Sequence, residues 1–78
     1  MKASDAITDL QSIKNLLFSQ ARQNTLTRHH AENLLSLASD VLKQLDSAVD
    51  WERDDIQKLA ELKQFFHPES VHMLLPEE

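Results

Sequence analysis

Not one of the 78 residues is glycine, and that absence removes most folds at once. Glycine supplies the left-handed turns, tight hairpins and phosphate-cradling loops of β and α/β folds, because it alone lacks the Cβ that penalises positive φ. Helices joined by short links need such turns least. Strand signals are weak as well: the chain has three Val, three Ile and no Tyr, and no stretch alternates apolar with polar residues over six positions. The expected fold class is all-α.

Apolar spacing places the helices. In the first, expected over about 4–23, Ala6, Leu10, Ile13 and Leu17 recur at intervals of four, three and four, the period of a core-facing seam. Ser4 is the expected cap. Ile7, Leu16, Phe18 and Ala21 flank the seam, so about half the helix girth is apolar, enough to touch two neighbours. Asn24 is the best candidate for a left-handed residue that ends this helix, and Thr27 for the cap of the next, with Leu26 and Ala31 at the positions of a hydrophobic staple.

The second helix, about 27–49, carries the clearest periodicity: Ala31, Leu34, Ala38, Val41, Leu45 and Ala48 alternate spacings of three and four, with Leu35, Leu42 and Val49 beside them. Asp50 before Trp51 resembles a cap, opening a third helix over about 51–66 whose inward face is Ile56, Leu59, Leu62 and Phe66. A single rod through both helices is the alternative, since the seven-residue phase continues through 52, 55, 59, 62 and 66. Glu52 and Asp55 lie on that seam, however, and burying carboxylates is costly, which favours a bend near Asp50. His67-Pro68 ends the third helix, and Pro68 at a first helical position starts a short turn, about 68–74, with Val71, Leu74 and Leu75 as contacts. Residues 76–78 form a tail. The layout is one domain over 1–78: a helical hairpin, a third helix and a short C-terminal turn.

Stability must come from packing alone, because the chain has no cysteine. Apart from Met1 it holds 24 large apolar residues, and a core of this size leaves only about 3–5 kcal/mol after ordering entropy is subtracted. Self-association is the natural remedy. The expectation is a homodimer in which Leu10, Ile13, Leu17, Leu34, Val41 and Leu45 make the contacts. Four helices from two chains then form a bundle, with the third helix outside or across it.

Charge is unevenly placed. Residues 1–45 hold five Lys/Arg against four Asp/Glu, and residues 46–78 three against nine, so the net −5 divides into +1 and −6. A nucleic-acid ligand demands a clustered basic surface, and only Arg22 and Arg28, with Lys14 two turns earlier, approach one. A basic protein is the better-matched partner.

No residue constellation points to catalysis. Seven serines are present, but nucleophilic sites need a sharp loop and an oxyanion hole, which glycine-free helices do not offer. Asp54 and Asp55, adjacent on a helix, point about 100° apart and cannot share one substrate atom. His29 and Glu32 sit three apart, short of the three convergent ligands that a metal needs. No cofactor, metal or catalytic residue is expected. No uninterrupted apolar run exceeds the three residues of Leu16-Leu17-Phe18, far below a membrane span, and a cytoplasmic chain is the expectation.

The function class that fits is a non-enzymatic protein-interaction module: a small regulatory, adaptor, inhibitor or chaperone-like protein acting as a homodimer. Trp51, Phe65 and Phe66 are candidate aromatic anchors for a partner, and Asp54 and Asp55 candidate contacts for a basic one. The alternative is a small DNA-associated transcription regulator using the Arg22/Arg28 end.

Overall fold

A computed structural model describes residues 2–75. It is all-α, with four helices and no β-strand among the described residues: α1 (Ala3–Arg22), α2 (Arg28–Leu45), α3 (Arg53–Phe65) and α4 (Pro68–His72). The expected tail at 76–78 lies outside the described residues.

The α1 start differs from expectation. Lys2, not Ser4, is the N-cap; Ser4 is already helical, its carbonyl accepting the Thr8 hydroxyl at 2.9 Å. The reason is tertiary: the Ala3 N–H donates to the Val49 carbonyl at 2.9 Å, so chain following α2 satisfies an amide that a side chain serves in most helices. Ala3 is fully buried there, and its small side chain lets the two backbones approach.

The α1–α2 turn forms as the sequence predicts. Asn24 adopts φ 58°, with Thr25 N–H donating to the Gln20 carbonyl at 2.9 Å and Asn24 N–H to that of Ala21 at 3.2 Å. This crossed pair is the Schellman closure, with asparagine standing where glycine is usual. Thr27 then caps α2, its hydroxyl accepting the His30 N–H at 3.1 Å. Leu26 and Ala31, the expected staple pair, are both buried in the core.

The α2–α3 link corrects two expectations. The α2 helix stops at Leu45, where the amides of Asp46, Ser47 and Ala48 turn to the carbonyls of Lys43, Gln44 and Leu45, a tightening typical of helix ends. Asp50 is not a cap. It takes φ 59°, the second left-handed residue of a glycine-free chain, and again a short polar side chain tolerates the geometry. The cap is Glu52, and α3 begins at Arg53. Helices two and three are therefore separate.

The inward face of α3 is also rotated from expectation. Ile56 is 64% exposed, whereas Asp55 is 4% exposed. The seam runs Asp55, Leu59, Leu62, Phe66, which is the seven-residue phase carried over from α2. The Asp55 carboxylate tolerates burial because it accepts the Glu52 N–H at 2.9 Å, half of a capping box that ties the helix start to its first turn. Pro68 opens α4 after His67, and Val71 is fully buried with Leu74 and Leu75 partly covered.

The α1 helix is the shared element, packing on both α2 and α3, while α4 bridges α2 and α3. The result is elongated, 43 × 19 × 18 Å with a radius of gyration of 13.0 Å, against about 11.5 Å for a compact domain of this length. Its accessible surface is 5614 Å², where a compact monomer of this mass exposes about 4,850 Å².

If Asn24 is the obligate left-handed position, urea melts will show Asn24→Gly as stable as the parent or more so. Asn24→Val will cost about 1–2 kcal/mol, because a β-branched side chain is penalised at positive φ. Thr27→Ala will cost about 1 kcal/mol through the lost cap.

Candidate protein-interaction surface

Among the described residues, no group of three or more His, Cys, Asp or Glu side chains converges as a metal site requires. A concavity of about 380 Å³ is lined by Asn15, Phe18, Ser19, Arg22 and Gln23, all from α1 and its C-terminal cap, so it is a dent along one helix with no second wall to hold a substrate. Exposed apolar side chains are the more informative feature.

One flank of α1 is closed. Phe18 meets Phe65 of α3 with ring centroids 5.1 Å apart, and Phe65 meets Phe66 edge-on at 5.0 Å. Lys14 Nζ lies 5.9 Å from the Phe18 ring centre and 5.4 Å from that of Phe65, a cation–π bracket across the two helices. These contacts put α3 on the Lys14/Phe18 side. Because α4 touches both α3 and α2, it covers the same side of the hairpin, where Leu35 and Leu42 of α2 are partly buried.

The opposite flank has no such cover. Turning about 100° per residue, Leu16 stands as far to one side of the Ala6-Leu10-Leu17 seam as Phe18 stands to the other. In α2, Leu34, Leu37 and Val41 depart from the Ala31-Ala38-Leu45 seam opposite to Leu35 and Leu42. Antiparallel helices reverse the sense of rotation, so the two rows meet on one face of the hairpin. Exposure separates the two flanks modestly: Phe18 on the α3 side is 37% exposed, and Leu35 and Leu42 are partly buried as Leu34 and Val41 are. Leu16 is 44% and Leu37 53% exposed, with Ile13, Leu34 and Val41 half-buried between them.

Gln20 continues the Ile13-Leu16 row and has its Oε1 buried with no hydrogen-bond partner. By the same rotation the cationic side chains of the two helices, Lys14, Arg22, Arg28 and Lys43, lie off this face. The residues around the apolar rows are mainly uncharged and polar, including Ser12, Asn33 and Gln44, with Asp5 and Asp9 at the end remote from the turn. A charge-poor apolar centre within a polar rim is the usual anatomy of a protein-contact surface.

The sequence-predicted contacts divide between surface and core. Leu10, Leu17 and Leu45 are buried inside the single chain, so their apolar area is already covered. Ile13, Leu34 and Val41 remain partly open. Of the anticipated partner contacts, Phe66 is core and Phe65 is half-buried in the aromatic stack. Asp55 is engaged in the α3 start. Trp51 is exposed, its Nε1 donating to the Ala48 carbonyl at 3.1 Å, and Asp54 is exposed. Arg22 and Arg28 stand exposed on either side of the turn. Sequence reasoning missed Leu37 and passed over Leu16. The signal for Leu16 was the run Leu16-Leu17-Phe18, three large residues that a helix spreads over about 200° and cannot all bury against one neighbour.

Comparison with protein-family models, curated proteins and solved structures finds no match to this chain.

The two adjacent aspartates separate by role. Asp55→Ala will lower stability by about 1–2 kcal/mol in chemical denaturation, since it removes a buried acceptor from a helix start. Asp54→Ala will stay within about 0.5 kcal/mol of the parent, as exposed substitutions do.

Proposed function

We propose that this chain is a non-enzymatic protein-interaction module, a small regulatory or adaptor protein that works by presenting the open α1/α2 face, and that it acts as a homodimer. The observation that carries the reading is the exposure of Leu16 and Leu37, 44% and 53%, over half-buried Ile13, Leu34 and Val41. Single exposed leucines are ordinary on any surface, whereas contiguous apolar rows within a polar rim mark a contact site. The elongated shape supports the same reading, because a 9.0 kDa chain with surface in excess of a compact monomer gains by covering it. The acidic segment around Asp46, Asp50, Glu52 and Asp54 supplies a second, weaker feature, suited to a basic partner.

A photo-crosslinking amino acid at position 37, introduced in the native host, tests this. Covalent adducts to protein, whether to a second copy or to another chain, are expected from position 37 and not from position 58 on exposed α3. Equal yields from the two positions would refute the assignment of the α1/α2 face.

A further inference from the structure

Resting on that protein-interaction reading, we infer that the occupant of the open α1/α2 face is a second copy of the chain, docked antiparallel about a two-fold axis that passes beside Ile13 and Leu37.

Charge selects both the face and the direction. Two copies that each carry −5 repel, so they meet most readily where charge is sparse, and the centre of this face, from Ile13 and Leu16 to Leu34, Leu37 and Val41, carries no charged side chain. The hairpin is unequal in charge along its length. Its turn end presents exposed Arg22 and Arg28 beside Glu32, while its open end presents the six acids Asp5, Asp9, Asp46, Asp50, Glu52 and Asp54 against the three cations Lys2, Lys43 and Arg53, all exposed. A parallel pair stacks acidic end on acidic end. An antiparallel pair brings each acidic end over the other copy's turn end, where Arg22 and Arg28, which lie off this face, act through their field and not by contact.

The apolar pattern has the same symmetry. Leu34 and Val41 lie three residues before and four after Leu37 in α2. An antiparallel two-fold beside Leu37 therefore brings Leu34 of each copy toward Val41 of the other. Ile13 lies near the middle of α1 (Ala3–Arg22), opposite Leu37 in the hairpin, so both helices are centred on the same axis. Isologous contact of this kind requires one patch to be self-complementary.

Area sets the strength. An 18-residue helix is about 27 Å long and two packed helices are about 20 Å across, so the face offers about 550 Å² per copy. The pair buries about 1,100 Å², just above the lower bound of about 1,000 Å² for a specific interface. An interface this small belongs with reversible rather than obligate dimers.

Sedimentation equilibrium from 1 μM to 1 mM in 50 mM salt is the test. A reversible monomer–dimer transition is expected in that range. Leu37→Glu is expected to raise the dissociation constant by about a hundredfold or more, since each dimer then buries two carboxylates; the position is exposed in the monomer, so the circular-dichroism spectrum stays helical. Leu16→Glu acts in the same direction as an independent check. The chain lacks cysteine, so Leu37→Cys alone gives an unambiguous oxidative crosslink: a disulfide-linked dimer is expected, and a dimer that fails to crosslink overturns the antiparallel geometry. A chain monomeric at 1 mM overturns the inference altogether. Should position 37 then still crosslink to a different protein in the host, the interaction reading survives and only its homodimer falls.

Discussion

The burial of α1 along two of its sides is the contact on which the rest of the structure depends. Ala3, Ala6, Leu10 and Leu17 are fully covered, and both α2 and α3 lean on this one helix, while α2 and α3 reach each other through α4. Small residues placed among large ones, Ala3 and Ala6 below Leu10 in α1 and Ala31 and Ala38 above Leu45 in α2, allow the close approach that an antiparallel pair requires. Even the start of α1 is held from outside the helix, by the Val49 carbonyl on Ala3. A substitution that loosens α1 therefore affects three interfaces together.

Because α3 and α4 fall on the same side of the hairpin, the molecule is asymmetric in cover. Thirteen residues of α3 and five of α4 close the Phe18/Leu35 side with an aromatic stack and a buried valine, and they cannot reach round to the other. An apolar surface left by geometry costs solubility unless it is used, and here its centre is apolar, its rim polar and its cations directed elsewhere.

Much of the fold is legible from residue spacing. The α1 seam, the Asn24 turn, the Thr27 cap and the Pro68 start each rest on local rules that tertiary context leaves intact. The departures have a common cause. Side-chain chemistry alone favours Ser4 and Asp50 as caps, but the Ala3 amide finds a backbone carbonyl brought from position 49, and Asp50 is needed as a left-handed hinge. Hydrophobicity favours Ile56 over Asp55 as the inward residue, whereas the seven-residue phase already indicates Asp55. A carboxylate with a local N–H to accept from is tolerated where an unpaired one is not. For the surface, periodicity identifies the apolar residues correctly but cannot divide them between core and face. That division depends on which side of the hairpin α3 returns to, and no local rule encodes it.

Affinity and orientation at such a face arise from different residues. Leu16, Leu37 and their neighbours provide area, which is indifferent to direction: an apolar row packs against another whether the helices run parallel or antiparallel. The charges at the two ends lie outside the apolar centre, where solvent screening limits each to a few tenths of a kcal/mol, yet they differ in sign between turn and open end. Their sum over Arg22, Arg28 and the acids around Asp50 distinguishes two arrangements that burial leaves nearly equal. In the proposed dimer, long-range charge sets the direction while the apolar rows supply the buried area. The contrast between a +1 and a −6 segment is a property of the linear chain. It acquires its meaning from the fold, which carries the chain back from its arginine-flanked turn to an acidic end.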